Sequence, residues 1–127
     1  MNTTTKLDTF TSAYISCALW SSTDNANDQG GEPLDANYSK DDIAPETLDR
    51  MISDCAQFQA DHGDLFANHR SGADRAGHDF WLTRNRHGAG FWDGDWNEPA
   101  ATILTDASHA WGSFDLYVGD DGMIYGG

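Results

Sequence analysis

The stretch H78-D-F-W-L-T-R-N-R-H-G-A-G-F-W-D-G-D-W96 mixes large aromatic side chains with glycines, arginines and histidines inside an otherwise acidic chain. Its secondary structure decides the fold. Phe80, Trp81 and Leu82 lie among polar neighbours from His78 to Asn85, the enrichment expected of a strand packed on at least one face. Arg86 to Gly90 supplies turn chemistry before Phe91 and Trp92 resume, so the local pattern predicts a β-hairpin. Asp93-Gly94-Asp95 then breaks the second strand.

Working outward, the downstream segment opens a helix at Asn97 or Glu98 with Pro99, carrying an inward stripe of Ala100, Ile103, Leu104, Ala107 and Trp111 and ending at Gly112. Phe114, Leu116 and Val118 alternate with Asp115 and Tyr117. Gly119-Asp120-Asp121-Gly122 turns the chain back into Met123-Ile124-Tyr125, a second hairpin. Upstream, Phe10, Ala13, Tyr14, Cys17 and Trp20 recur at helical spacing behind a capping Asp8 or Thr9. The polar run Ser21 to Lys40 reads as an exposed, flexible loop. Pro45 and Glu46 suit the first turn of another helix, in which Leu48, Met51, Ile52, Cys55 and Phe58 share one face. Gly63 fits a left-handed stop, with Leu65 and Phe66 adding a short turn.

These elements predict a single α+β domain over residues 1–127, with an antiparallel sheet of about four strands, built from two hairpins, packed against three helices. The 127 residues suffice for one core, and no internal repeat or coiled-coil heptad is present. Cys17 and Cys55 fall on apolar helix faces, so a disulfide framework is not expected. No run of about eighteen apolar residues and no secretory leader is visible, which predicts a soluble protein of the cytoplasm.

Charge is the strongest global signal. Twenty-one acids against seven Lys and Arg leave a net charge of -14, which repels duplex nucleic acid and favours encounter with basic partners, although solubility alone gives the same composition. Residues 1–66 carry twelve acids and three bases, net -9; residues 67–127 carry nine and four, net -5. Asp35, Asp41, Asp42, Glu46, Asp49, Asp54, Asp61 and Asp64 lie in or beside the second helix and form the candidate acidic surface.

Thr83 to Gly90 is the second candidate site. Arg84, Arg86, Asn85 and His87 on a glycine-containing loop offer donors for a carboxylate or phosphate, unless they pair with Asp79, Asp93 and Asp95. Asp93-Gly94-Asp95-Trp96-Asn97 starts like a calcium loop and then fails, with Glu98 at the sixth position and Leu104 at the twelfth. His62, His69, His78, His87 and His109 show no metal-ligand spacing, and no nucleophile, phosphate-loop or dinucleotide signature occurs. Neither a cofactor nor a metal is expected, and no catalytic residue is assigned.

The segments CALWSSTD, DIAPETL, HDFWLTRNRHGAGFWDG and DLYVGDDGMIY together resemble a group of small acidic proteins encoded by bacteriophages and related mobile elements, over roughly Ala13 to Tyr125. The resemblance implies a phage context and carries no fold, activity or catalytic residue with it. Together with the charge, it leads to the expectation of a non-enzymatic accessory protein. Such a protein would bind and inhibit a basic, nucleic-acid-handling host protein, as an anti-CRISPR or anti-restriction inhibitor or DNA mimic, without contacting nucleic acid or membrane. The expected contacts are Asp41, Asp42, Glu46, Asp49, Asp54 and Asp61, with Trp92 and Arg84, Arg86 and His87 anchoring or forming a second surface. The alternatives are a small enzyme or ligand-binding module centred on the 78–96 hairpin, and a virion or assembly component.

Overall fold

A computed structural model describes residues 7–24, 32–66, 72–87, 89–92 and 96–127. Helix α1 runs Thr9–Ser21, α2 Pro45–His62, α3 Gly72–Arg84 and α4 Ala100–Trp111; two short ladders, β1 (Thr23–Asp24) with β2 (Glu32–Pro33) and β3 (Leu116–Val118) with β4 (Ile124–Gly126), complete the order. The two ladders are separate two-stranded pieces. Among the described residues the expected four-stranded sheet on three helices is therefore replaced by four α-helices with minor β structure.

The difference arises within His78–Trp96. His78 to Arg84 is the C-terminal half of α3, not a strand. Ala73, Ala76, Gly77, Phe80, Trp81 and Arg84 recur at i, i+3, i+4, i+7, i+8 and i+11, a helical stripe that begins before His78. A window opened at the aromatic cluster cuts this period in half and leaves only its strand-like composition. Gly77 places α3 directly on α1: a Cβ built there would collide with the backbone carbonyl of Phe10.

Two backbone hydrogen bonds close α3, His87 N–H to Leu82 O at 2.9 Å and Arg86 N–H to Thr83 O at 3.0 Å, with Arg86 left-handed at φ 57°. This is a Schellman stop with arginine where glycine is usual. The chain then places Phe91 inside, its N–H donating to Thr83 Oγ1 at 3.0 Å.

The other helices follow the sequence more closely. Asp8 caps α1, its Oδ1 accepting the Thr11 N–H at 2.8 Å. Pro45 opens α2, which buries Met51, Cys55 and Phe58. Gly63, at φ -55° and ψ -31°, stays right-handed and leads into a 3₁₀ turn, so the left-handed stop expected there does not occur. In α4, Leu104 is buried as expected, whereas Ile103 faces out and Ala101 faces in.

The stretch expected as an exposed loop carries structure in its described parts. Ser22 O accepts the Leu34 N–H at 2.9 Å, and Leu34 is fully buried. Two 3₁₀ turns follow, Leu34–Ala36 and Lys40–Asp42, the second closed by a Ser39–Asp42 capping box. The β3–β4 hairpin forms as predicted, pairing Leu116 with Gly126, Tyr117 with Tyr125 and Val118 with Ile124. Its Ile124 O accepts the Ala44 N–H at 2.8 Å, which fastens the hairpin to the start of α2.

The core is an aromatic stack. Phe58 and Phe80 lie with ring centroids 4.0 Å apart, Phe10 sits 5.9 Å from Phe58 and 5.5 Å from Phe66, and Trp81 meets Tyr14 edge-on at 5.3 Å. Such contacts add about 0.5–1.5 kcal/mol per pair beyond area burial.

The close approach of α1 and α3 is directly testable. Gly77→Ala is expected to cost about 1–3 kcal/mol in urea unfolding, because the Phe10 carbonyl belongs to a packed helix that cannot yield cheaply. Gly63→Ala, where an added Cβ meets nothing within 4 Å, should stay within about 0.5 kcal/mol of the parent.

Candidate functional site

Arg84 is the first site residue that tertiary structure relocates. Its place in the last turn of α3 sends the guanidinium into the core, where the residue is 2% exposed. There it donates to Asp54 Oδ2 at 3.0 Å, Tyr14 OH at 2.9 Å, Gly112 O at 2.8 Å and, more weakly, Trp111 O at 3.5 Å. The rings of Phe80, Trp111 and Phe114 surround it at 5.4–5.6 Å. Asp54, 5% exposed, also accepts from Arg50 Nε at 3.4 Å. Neither Arg84 nor Asp54 is available to a partner in this arrangement. Both were expected at the surface.

The remaining predicted residues divide into two places. Arg86, His87 and Trp92 are exposed beyond the end of α3, Trp92 at 51%. Asp41, Glu46, Asp49 and Asp61 are exposed and Asp42 is half-buried, tied to the Ser39 N–H at 2.8 Å. On α2 the outward acids do not form a continuous row: Arg50, Ser53 and Gln57 share that face, and Asp61 accepts from Gln57 at 3.0 Å.

Instead, Asp41, Asp42 and Glu46 flank the start of α2, with Asp49 a turn further on, and the Ala44–Ile124 hydrogen bond fastens the β3–β4 hairpin, with Asp120 and Asp121 in its turn, to that part of the chain. Tyr125 OH donates to Asp121 Oδ2 at 2.5 Å. That hydrogen bond, with the nearby charges of Asp121 and Glu46 adding to it, pushes the Tyr125 phenol up to about 12. Tyr117, exposed, stacks on Tyr125 at 5.9 Å. Sequence reading did not assign this tyrosine pair. Its signal was the alternation that left positions 117 and 125 opposite the buried Leu116 and Ile124.

A second feature lies on the α1–α3 side. A groove of about 880 Å³ is lined by Asp8, Cys17, Trp20, Asp35, Asp74 and His78, among others, and an adjoining, more apolar pocket of about 440 Å³ shares Trp20 and His78 and adds Leu82 and His87. Trp20, expected on the core face, is 59% exposed, whereas Ala18 and Leu19 beside it in the last turn of α1 are buried. His78 Nδ1 lies 3.3 Å from Oδ1 of buried Asp79, whose Oδ2 accepts the Trp96 indole N–H at 2.7 Å. In the neutral ring with its proton on Nδ1, facing that carboxylate, Nε2 is the acceptor.

The thiols offer no activated nucleophile. Burial, followed by the charge of Asp79, pushes Cys17 up to about 12, and burial raises Cys55 as well. Among the described residues no three His, Cys, Asp or Glu side chains converge as a metal site, and no helix is long and apolar enough to cross a membrane. Asp93 to Asp95, weighed above as a cation loop, lie outside the described residues.

Truncating Arg84 should separate the core ion pair from the surface. Arg84→Met leaves Asp54 buried with only Arg50 beside it and is expected to destabilise the fold by about 3–5 kcal/mol in chemical denaturation. Arg86→Gly should fall within about 1 kcal/mol of the parent, on the stabilising side, because glycine takes the left-handed position without strain. Both cysteines should resist a thiol reagent at pH 8 in the native state and react fully in denaturant. No protein-family model, curated protein or solved structure matches this chain.

Proposed function

We propose that this chain is a phage or mobile-element accessory protein that acts by binding rather than by catalysis. Its acidic end docks on a basic surface of a nucleic-acid-handling host protein and blocks it, in the manner of an anti-CRISPR or anti-restriction inhibitor working in the host cytoplasm. The observation that carries this reading is the docking of the β3–β4 hairpin on the start of α2, which sets Tyr125 and its partner Asp121 near Glu46, on a surface that also carries the exposed Asp41, Asp49 and Tyr117, in a chain of net charge -14. Carboxylates steer a cationic partner and set its register, while an aromatic pair gives contact area at low entropic cost.

The geometry favours a compact docking patch over imitation of a long duplex. DNA presents a charge about every 1.7 Å of axis, whereas the outward acids of α2 are Glu46, Asp49 and Asp61, interrupted by Arg50. The expected contacts therefore narrow to Asp41, Asp42, Glu46 and Asp49 with Tyr117, and Asp54 leaves the set.

A second reading, a small ligand-binding or catalytic module, is favoured by one observation: His78, paired with the buried Asp79, lines the groove of about 880 Å³ between α1 and α3.

Affinity capture from host lysate at low and raised salt tests the first reading. A basic, nucleic-acid-handling protein should be retained at low salt, weaken as screening increases, and be lost from the Glu46→Lys/Asp49→Lys double variant. Retention of no basic protein, or retention unchanged by the charge reversal, defeats the proposal. Stable incorporation of the chain into purified particles would point to a virion component instead.

A further inference from the structure

We infer that the groove between α1 and α3 is a recognition site for arginine, presented as a side chain of a partner polypeptide. This goes beyond the docking of the acidic end, since it uses a different face of the molecule. It shares only the premise that partners are basic.

The groove combines three features that one ligand chemistry satisfies together. Trp20 leaves an indole 59% exposed at the place where the groove and the adjoining pocket meet. A hydrophobic ring held in water gains most from a flat, weakly hydrated cation stacked on its face. His78, beside it, is positioned by a relay that ends in the core: Trp96 donates to Asp79, which is 1% exposed, and Asp79 faces His78 Nδ1. With Nδ1 facing Asp79, the neutral tautomer protonated at Nδ1 offers Nε2 as an acceptor for a ligand donor. Asp35 and Asp74, both exposed, add carboxylates along the same lining.

Asp8 strengthens the same polarity. Partial burial works against its ionisation, yet the hydrogen bonds from Thr11 and Gln59 prevail and hold its carboxyl below the usual range, so it stays negative. Arg75 is the one cation in the described lining and is already engaged within the chain.

An anion would meet three carboxylates there, and a purely apolar ligand would strip them of water without replacing its hydrogen bonds. A guanidinium matches the set: its plane covers the indole while its fork of N–H donors reaches an imidazole nitrogen and a carboxylate. The volume, about 880 Å³, accommodates the arginine with residues on either side of it.

The test uses the whole chain, labelled for NMR, titrated with the blocked tripeptide acetyl-Gly-Arg-Gly-amide and with its Lys and Leu counterparts. The arginine peptide should shift the Trp20 indole N–H and the His78 ring signals and saturate in roughly the millimolar range. The lysine peptide should bind several-fold more weakly and the leucine peptide should leave both signals in place. His78→Gln and Asp74→Asn should each weaken the arginine peptide by about fivefold or more, while Trp20→Ala abolishes saturation.

Glu46→Lys/Asp49→Lys should bind the peptide as the parent does, which separates this site from the acidic end. Equal shifts with the leucine peptide, no shift with the arginine peptide up to roughly 50 mM, or loss of binding in the Glu46→Lys/Asp49→Lys variant would each overturn the inference.

Discussion

One buried guanidinium organises this molecule. Arg84 ends α3 and touches, through hydrogen bonds, Tyr14 of α1, Asp54 of α2 and the carbonyls of Trp111 and Gly112 that close α4. A charge moved out of water costs several kcal/mol unless its donors are satisfied and a counter-charge is near. Here both conditions are met only when all four helices stand in one relative arrangement. The pair therefore acts less as a source of stability than as a constraint on how the helices register. The three surrounding rings extend that constraint, since Phe80, Trp111 and Phe114 each present a face to the same cation.

Withdrawing Arg84 also shapes the outside. It takes with it Asp54, so the interior is neutral at that point and the outward face of α2 is left with Glu46, Asp49 and Asp61 around the single cation Arg50. Asp41, Asp42 and Glu46 stand where the β3–β4 hairpin meets the start of α2. The hydrogen bond from Ala44 to Ile124 makes that junction, so a backbone contact brings Tyr125 and Asp121 of the hairpin near Glu46.

The second polar relay, Trp96 to Asp79 to His78, follows the same rule at the opposite side of α3. Asp79 is buried and is satisfied at both oxygens. One oxygen points to the core and the other to a residue at the groove, so a rigid interior orients an exposed imidazole. A helix of mixed composition can carry such groups because its faces look to different neighbours: the stripe of Gly77 and Arg84 to the other helices, and His78 to the groove.

Much of the helical plan was written in local chemistry. Asp8 before an apolar period, Pro45 at a first turn, Gly112 after the α4 stripe and the Gly119–Gly122 turn each act within a few residues of themselves, and each is where the chain alone places it. The net charge and the burial of both cysteines belong to the same class. What the chain alone left undecided is α3. Its aromatic cluster favours a strand by composition while the period that starts at Ala73 favours a helix, and the close approach at Gly77 with the partners of Asp79, Thr83 and Arg84 settles it as a helix whose own buried charged side chains are paired. The positions of Arg84, Asp54, Trp20 and His78 relative to water were tertiary decisions for the same reason. Burial of a charge depends on partners 30 and 70 residues away, and no local pattern encodes a distance of that kind.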